Sequence, residues 1–575
     1  MNALTYSTAV ATGRVQLANV RAKSLLTAQV RLLAVLLMIA LATAAFLMRI
    51  AVLGLVEPAP RAATIDEALL PSRGEITDRN GVPLARAFPA YALWYNPDAL
   101  GGGSPMVHSP AVVARALTAI FPDMDETDLR QRLAAGKPGY LRRRLLPEEA
   151  NRVHALGEPA LEFPRENDRY YPQGSLAAHV LGYVASDGKG RVGMEQVLDK
   201  QLTDAATRGQ PERLALDMRV QGALEDELNR GMLESNAKGA AGIVLDVDTG
   251  EVMALASLPS FNPNRIDGAI NSLVFNKVTN QVYELGSTFK PITVASAIDA
   301  GVVTDLSVRY DATRPLSIGG FQIHDSHSMG WLNVPEALIH SSNIVTAQVA
   351  DKLGSARLEA TMRALGMNER PYIELPARGF PLWPRGNWAR ITTMTVSYGH
   401  GIAVTPLHLA SAYAALVNGG VWRPATLEKV APGHAVAGRR VFKASTSARM
   451  RQLLRMIVAD GTGKKANAPG FRVGGKTGSA EKPGAGGGAY RKNALIATFA
   501  AAFPMDRPRY VVIAMLDEPQ GTVATSGQRT AAWNAAPVVG RVVPRIGPLL
   551  GIMPDSTRDI DISDLSPLVA NGDGE

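Results

Sequence analysis

Gly470-Phe471-Arg472-Val473-Gly474-Gly475-Lys476-Thr477-Gly478-Ser479 admits two readings, and they lead to different folds. Gly470 to Thr477 satisfies the phosphate-loop pattern GxxxxGK[ST]. That pattern needs a hydrophobic strand before it and a helix after it, presenting N–H groups to phosphate. The flanks supply neither. Lys464-Lys465-Ala466-Asn467-Ala468-Pro469 is polar and ends in proline, while Pro483 and the glycine-rich run 484–488 would not continue a helix. The phosphate-loop match is accidental. As an edge strand, the same segment offers Lys476 and Thr477 to a carboxylate and the Ser479 N–H to an oxyanion, with Gly478 between them.

Working outward, the segment joins other strands. Ala241 to Val247 reads as a buried strand, Asp248-Thr249-Gly250 as a turn and Glu251 to Ala256 as the return strand. Strand patterns come back at Phe471 to Val473, Ile496 to Phe503 and Tyr510 to Leu516, with helical patterns through much of 288–460. Strands at both ends with helices between them predict an α+β domain, an antiparallel sheet covered by helices, over residues 236–554. Residues 57–235 read as a separate, irregular α+β module. It contains a turn at Arg73-Gly74-Glu75-Ile76-Thr77-Asp78-Arg79-Asn80-Gly81, whose Asn-Gly step predicts a tight hairpin. Near its end, Asp217 is a candidate N-cap for an amphipathic helix. The stretch 555–575 is acidic, poor in large apolar residues and read as disordered.

Two further motifs give the segment chemical meaning. Ser287-Thr288-Phe289-Lys290 is an SxxK pattern and Ser341-Ser342-Asn343 an SxN pattern. Either alone is weak in a chain of 575 residues, but all three in this order are not expected by chance. Gly286 places Ser287 at a helix start, with Lys290 one turn away on the same face. Ser287 is then the candidate nucleophile, Lys290 its base and Ser341 a proton relay. Asn343 would bind substrate or hold Lys290. A lysine acts as a base only when neutral, against an ordinary pKa of about 10.4. Burial helps, and a second cation is expected to help more: Lys476 about 6 Å away at an effective dielectric near 20 adds roughly 3 kcal/mol of repulsion. His324-Asp325-Ser326-His327 reads as a polar loop rather than a metal site, and Ser397-Tyr398-Gly399-His400-Gly401 as a tight turn near the site. No metal and no cofactor is expected.

Composition narrows the classes. The net charge of +8 is spread along the chain without a nucleic-acid-binding motif, so no nucleic-acid partner is expected. With no cysteine there is no disulfide and no thiolate chemistry. Arg14, Arg21, Lys23 and Arg31 make residues 1–31 a basic tail. The apolar run from Leu32 to Val56, interrupted at Arg49, is long enough for a single membrane-spanning helix across a hydrocarbon core of about 30 Å. Positive charge before it, and Glu57, Asp66 and Glu67 after it, put the N-terminus in the cytoplasm. Ala42-Thr43-Ala44 lies inside the run, which argues against a cleaved signal. Arg49 either snorkels to the interface or meets another membrane protein.

With these motifs in place, the sequence resembles the class B penicillin-binding proteins, and within them the division-specific branch. The likeness runs from the anchor to about residue 545. It is carried by RGEITDRNG at 73–81, GMEQ at 193–196, GSTFKP at 286–291, SSN at 341–343, YGHG at 398–401, NGGVWRPATL at 418–427 and GKTGSAEK at 475–482. The family often has Glu-Pro-Gly before the nucleophile and Thr-Ala after the KTG triplet, where this chain has Glu284-Leu285-Gly286 and Ser479-Ala480. Both differences preserve the backbone chemistry, and the Glu-Leu-Gly form looks like the α-proteobacterial division enzymes.

The resemblance implies a non-catalytic, dimerisation-type pedestal over 57–235, a penicillin-binding transpeptidase domain and a place in the bacterial inner membrane with the catalytic domain in the periplasm. It also implies attack by Ser287 on stem peptides ending in D-Ala-D-Ala, transfer to an amine acceptor, acylation by β-lactams and partnership with a membrane glycosyltransferase such as FtsW and other division proteins. An elongation-specific transpeptidase, a D,D-carboxypeptidase or serine β-lactamase, and a scaffold are the alternatives.

Overall fold

The computed structural model describes residues 25–49 and 71–569, apart from 100, 102–105, 186, 267–271 and 485–489. The chain divides into two compact units between Leu70 and Pro71. In the first, Leu25–Arg49 is a helix long and apolar enough to cross a membrane. It begins at Leu25 rather than at the expected Leu32. Arg31 ends the apolar run but not the helix, because arginine is a good helix former. Residues 50–56 of the expected span lie outside the described residues.

The second unit is built on a five-stranded antiparallel sheet of β1 (Gly239–Asp246), β2 (Val252–Leu258), β3 (Gly474–Pro483), β4 (Tyr490–Phe503) and β5 (Tyr510–Asp517). Its order is β2-β1-β5-β4-β3, so β3 is an edge strand paired only with β4. The expected strand at Phe471 to Val473 is displaced: Arg472 takes a left-handed φ of 52°, and β3 starts at Gly474.

Alternation along these strands feeds two cores. Val244, Phe499, Val512 and Ala514 face one side, against Leu224 and Leu228 of α1 (Met218–Glu234) and Val538 and Val542 of an α-helix at Ala535–Ile546. Ile243, Leu245, Ala500, Val511 and Ile513 face the other. There they share a core with α2 (Lys290–Asp299), α3 (Val334–Ile339), α4 (Asn343–Leu353), α5 (Pro406–Val417) and α6 (Ala444–Ala459). With both faces covered, the strands read as continuous apolar runs. The fold is α+β, with the expected antiparallel sheet between helical layers.

The region before the sheet is organised by buried charge. The 13-residue strand Pro83–Tyr95 pairs with strands at Gly139–Leu145, Leu161–Glu162 and Arg165–Tyr170. Glu195, fully buried in the GMEQ segment, accepts from Arg73 Nε at 2.7 Å and from Arg169 Nε at 2.6 Å. Removing one partner of such a cluster would strand the others in the interior, so it locks the register of these segments. The expected hairpin at Asn80-Gly81 is present. Asp78 accepts from the Asn80 and Val82 N–H groups and from Met218 N at the start of α1, and Asp217 caps that helix.

The C-terminal stretch departs from its disordered reading. Asp555 to Val569 lies along the body, with Leu565 only 1% exposed. Its acidic residues are matched by arginines elsewhere in the chain: Asp559 by Arg455 and Asp564 by Arg449. Composition of the segment alone does not reveal those partners.

Candidate active site

The SxxK motif lies beside the edge strand. Gly286–Phe289 is a 3₁₀ turn that runs into α2, and the Lys290 N–H bonds to Ser287 O. Residues three apart in a 3₁₀ turn share one edge, so Ser287 and Lys290 fall on the same side. Gly286 has φ 55°, and its N–H reaches Gly399 O at 3.3 Å. A Cβ on Gly399 would stand 2.3 Å from Gly286 O, and one on Gly478 would stand 2.4 Å from Leu285 O. The YGHG turn and β3 therefore press on the turn that carries Ser287 with bare backbone. Tyr413 of α5 supports it from below, donating to Thr288 O at 2.8 Å.

The three motifs converge on one hydroxyl. Lys290 and Lys476 are both fully buried. Lys290 Nζ lies 3.1 Å from Ser341 Oγ and also donates to the Ser341 carbonyl, while Lys476 Nζ lies 2.8 Å from Ser341 Oγ. Ser341 reaches this position with φ 63°, in the bend between α3 and α4. Burial pushes the Lys290 ammonium well below the ordinary lysine value, and the charge of Lys476 lowers it further. The expected ranking of those two causes is thus reversed: desolvation leads. Asp325 acts in the opposite direction. Burial also brings Lys476 down to about 7. Ser287 is half-buried.

The remaining expected residues sit around this centre. Lys476 Nζ also meets Thr477 O and Oγ1 at 3.2 and 3.3 Å, and Thr477 Oγ1 pairs with Thr462 Oγ1 at 2.9 Å. The Ser479 hydroxyl accepts from Ala531 N at 3.0 Å. Asn343 does not hold Lys290: its Nδ2 donates to His324 O at 2.9 Å.

Two carboxylates were missed by motif reading. Asp325 accepts from Ser342 Oγ at 2.7 Å and from the Asn343 and Ile344 N–H groups, anchoring the start of α4. Glu284 accepts from Tyr490 OH and from Gly401 N. The polar loop 324–327 is therefore structural, and no cluster of three potential metal ligands occurs among the described residues.

Residues 240–539 match the penicillin binding protein transpeptidase domain, and residues 68–211 the penicillin-binding protein dimerisation domain. The chain belongs to the class B penicillin-binding proteins. It is 40% identical to a probable peptidoglycan D,D-transpeptidase FtsI of Caulobacter vibrioides, over 84% of this chain and 82% of that protein. It is 31% identical to the peptidoglycan D,D-transpeptidase FtsI of Escherichia coli K12, over 88% and 87%. Among solved structures, the aztreonam complex of penicillin binding protein 3 from Mycobacterium tuberculosis superposes with a TM-score of 0.66 at 25% identity, covering 86% of this chain and 99% of that one.

Proposed function

We propose that this protein is a serine-dependent peptidoglycan D,D-transpeptidase of septal cell-wall synthesis, anchored in the bacterial inner membrane. The observation that carries the reading is the Lys290–Ser341–Lys476 cluster beside Ser287, on a fold shared with relatives named as D,D-transpeptidases. Ser287 Oγ attacks the carbonyl of the penultimate D-Ala of a stem peptide while Lys290 Nζ takes its proton. The N–H groups of Ser287 and Ser479 hold the oxyanion. Lys476, Thr477 and Gly478 receive the terminal carboxylate, and Asn343 lines the peptide. The C–N bond to terminal D-Ala then breaks, and Ser341 Oγ relays the proton to the departing amine. An acceptor amine attacks the ester, forms the cross-link and frees Ser287.

β-Lactams acylate the same serine. The helix Leu25–Arg49 serves as a single-pass anchor, with the N-terminus cytoplasmic and the catalytic domain periplasmic. Partners of this reading are a membrane glycosyltransferase such as FtsW and other division proteins.

The test is release of D-Ala from a pentapeptide ending in D-Ala-D-Ala, followed against pH. Lys290 must be neutral, so kcat/KM rises with pH as it loses its proton. Lys476 must be charged to draw the carboxylate, so kcat/KM falls as pH passes about 7 in the free protein. Bound carboxylate restores that charge, which moves the falling limb of kcat to higher pH. The expected outcome is a bell-shaped kcat/KM. Release that climbs to a plateau with no falling limb would remove Lys476 from carboxylate binding, and no release at all would remove the activity.

A further inference from the structure

The C-terminal segment is bonded next to the elements that carry both halves of the lysine–serine–lysine cluster. At one end, Asp555 N donates to Gly470 O at 2.9 Å and Arg472 Nη1 donates to Asp555 O at 3.2 Å, just before β3 begins. In the middle, Arg455, Gln452 and Arg449 lie three residues apart on one face of α6. They hold Asp559, the Asp561 carbonyl and Asp564 in turn. Arg455 also donates to Val473 O at 3.1 Å, so the same guanidinium ties the segment to the start of the KTG strand.

At the far end, Asn333 Nδ2 donates to Leu568 O at 2.8 Å. Asn333 is only 2% exposed and is the N-cap of α3, its Oδ1 accepting from Glu336 N at 2.9 Å. That helix ends at Ile339, two residues before Ser341. The segment borders a cleft of about 600 Å³ lined by Ile298, Val303, Arg449 and Leu565, and Leu565 packs into the main core with Ile560, Leu568 and Val569 against it.

We propose that residues 555–569 form a strap that sets Ser341 between the two lysines, with Asn333 as the positioning residue that transmits the Leu568 contact to α3. This rests on the transpeptidase reading of the site. A strap fixed at the entry of β3 and at the cap of α3 controls the spacing of Lys476 and Ser341, although it touches neither. Loss of the Leu568 contact frees α3 to shift. Water then enters around Lys290, whose neutrality depends first on burial.

The test uses the full-length protein and two variants. Asn333→Asp keeps the capping oxygen and loses the N–H donor to Leu568. A chain ending at Leu565 removes the Leu568 carbonyl while keeping the buried Leu565 and an intact Asn333. Acylation by benzylpenicillin is measured against pH, with hydrogen exchange followed over 334–342. Each change is expected to slow acylation about tenfold, since small misplacements of a catalytic group cost ten- to hundredfold. Each also moves the rising limb to higher pH and raises exchange in α3. The double variant is expected to be no slower than the truncated chain alone, because the Asn333–Leu568 contact is already lost there.

Acylation rate and pH profile unchanged in the truncated chain would overturn the strap, whether or not Asn333→Asp folds. A wild-type protein that benzylpenicillin does not acylate would instead overturn the underlying reading of the site.

Discussion

Lys290→Met lowers the rate of Ser287 acylation by about 10³-fold, within the range for removal of a general base, while the protein stays folded. The side chain is fully buried, and burial has already pushed its ammonium well below the ordinary lysine value. Methionine fills a similar volume and needs no proton, so Tm is expected within about 3 °C of wild type. The groups that remain, the backbone donors and Lys476, still bind the carboxylate and hold the oxyanion. The loss therefore falls on the acylation step more than on initial binding, as stopped-flow measurement with benzylpenicillin would separate. Equal acylation rates in variant and wild type would assign the base elsewhere. Among the groups touching Ser341, Lys476 would be the next to test.

Gly399→Ala has a smaller but still large effect by another route. Gly399 has φ 81°, where a side chain costs about 1–2 kcal/mol. The added Cβ would also lie 2.3 Å from Gly286 O and 2.7 Å from Gly286 N, backbone atoms that cannot rotate away. Overpacking of this kind adds about 1–3 kcal/mol. The strain is relieved by pushing the turn Gly286–Phe289, which carries Ser287, so acylation falls by about 10²-fold as well. Thermal unfolding and acylation kinetics on one preparation check both parts. A variant with lowered Tm and unchanged acylation would show that the YGHG turn supports the fold without setting the nucleophile.

Sequence reading reached the three motifs that meet at Ser341 and the sheet because each motif and each strand is local in the chain. Ser287 to Lys290 is one turn, and β1, β4 and β5 are apolar runs whose burial on two faces leaves a clear mark. The edge position of β3 followed from flanks that a phosphate loop would not have. What stayed hidden was tertiary. Asp325 sits in an ordinary polar stretch and Glu284 between Tyr283 and Leu285, and only folding brings Asp325 to the start of α4 and Glu284 to Tyr490. Of the two roles expected of Asn343, the hold on Lys290 does not form, because His324 O, 19 residues upstream, takes its amide. The C-terminal acids looked like a solvated tail because their arginine partners on α6 lie about a hundred residues away. Composition reports the charge of a segment and not whether the fold supplies a counter-charge.

The most direct measurement of the central claim is intact-mass analysis of the full-length protein and its Ser287→Ala variant after exposure to benzylpenicillin. Ring opening releases no leaving group, so acylation adds the mass of the whole β-lactam. A single persistent adduct on wild type, and none on Ser287→Ala, is the predicted result. Equal labelling of both proteins would contradict the assignment of Ser287 as nucleophile, and with it the account of the site built around Lys290, Ser341 and Lys476.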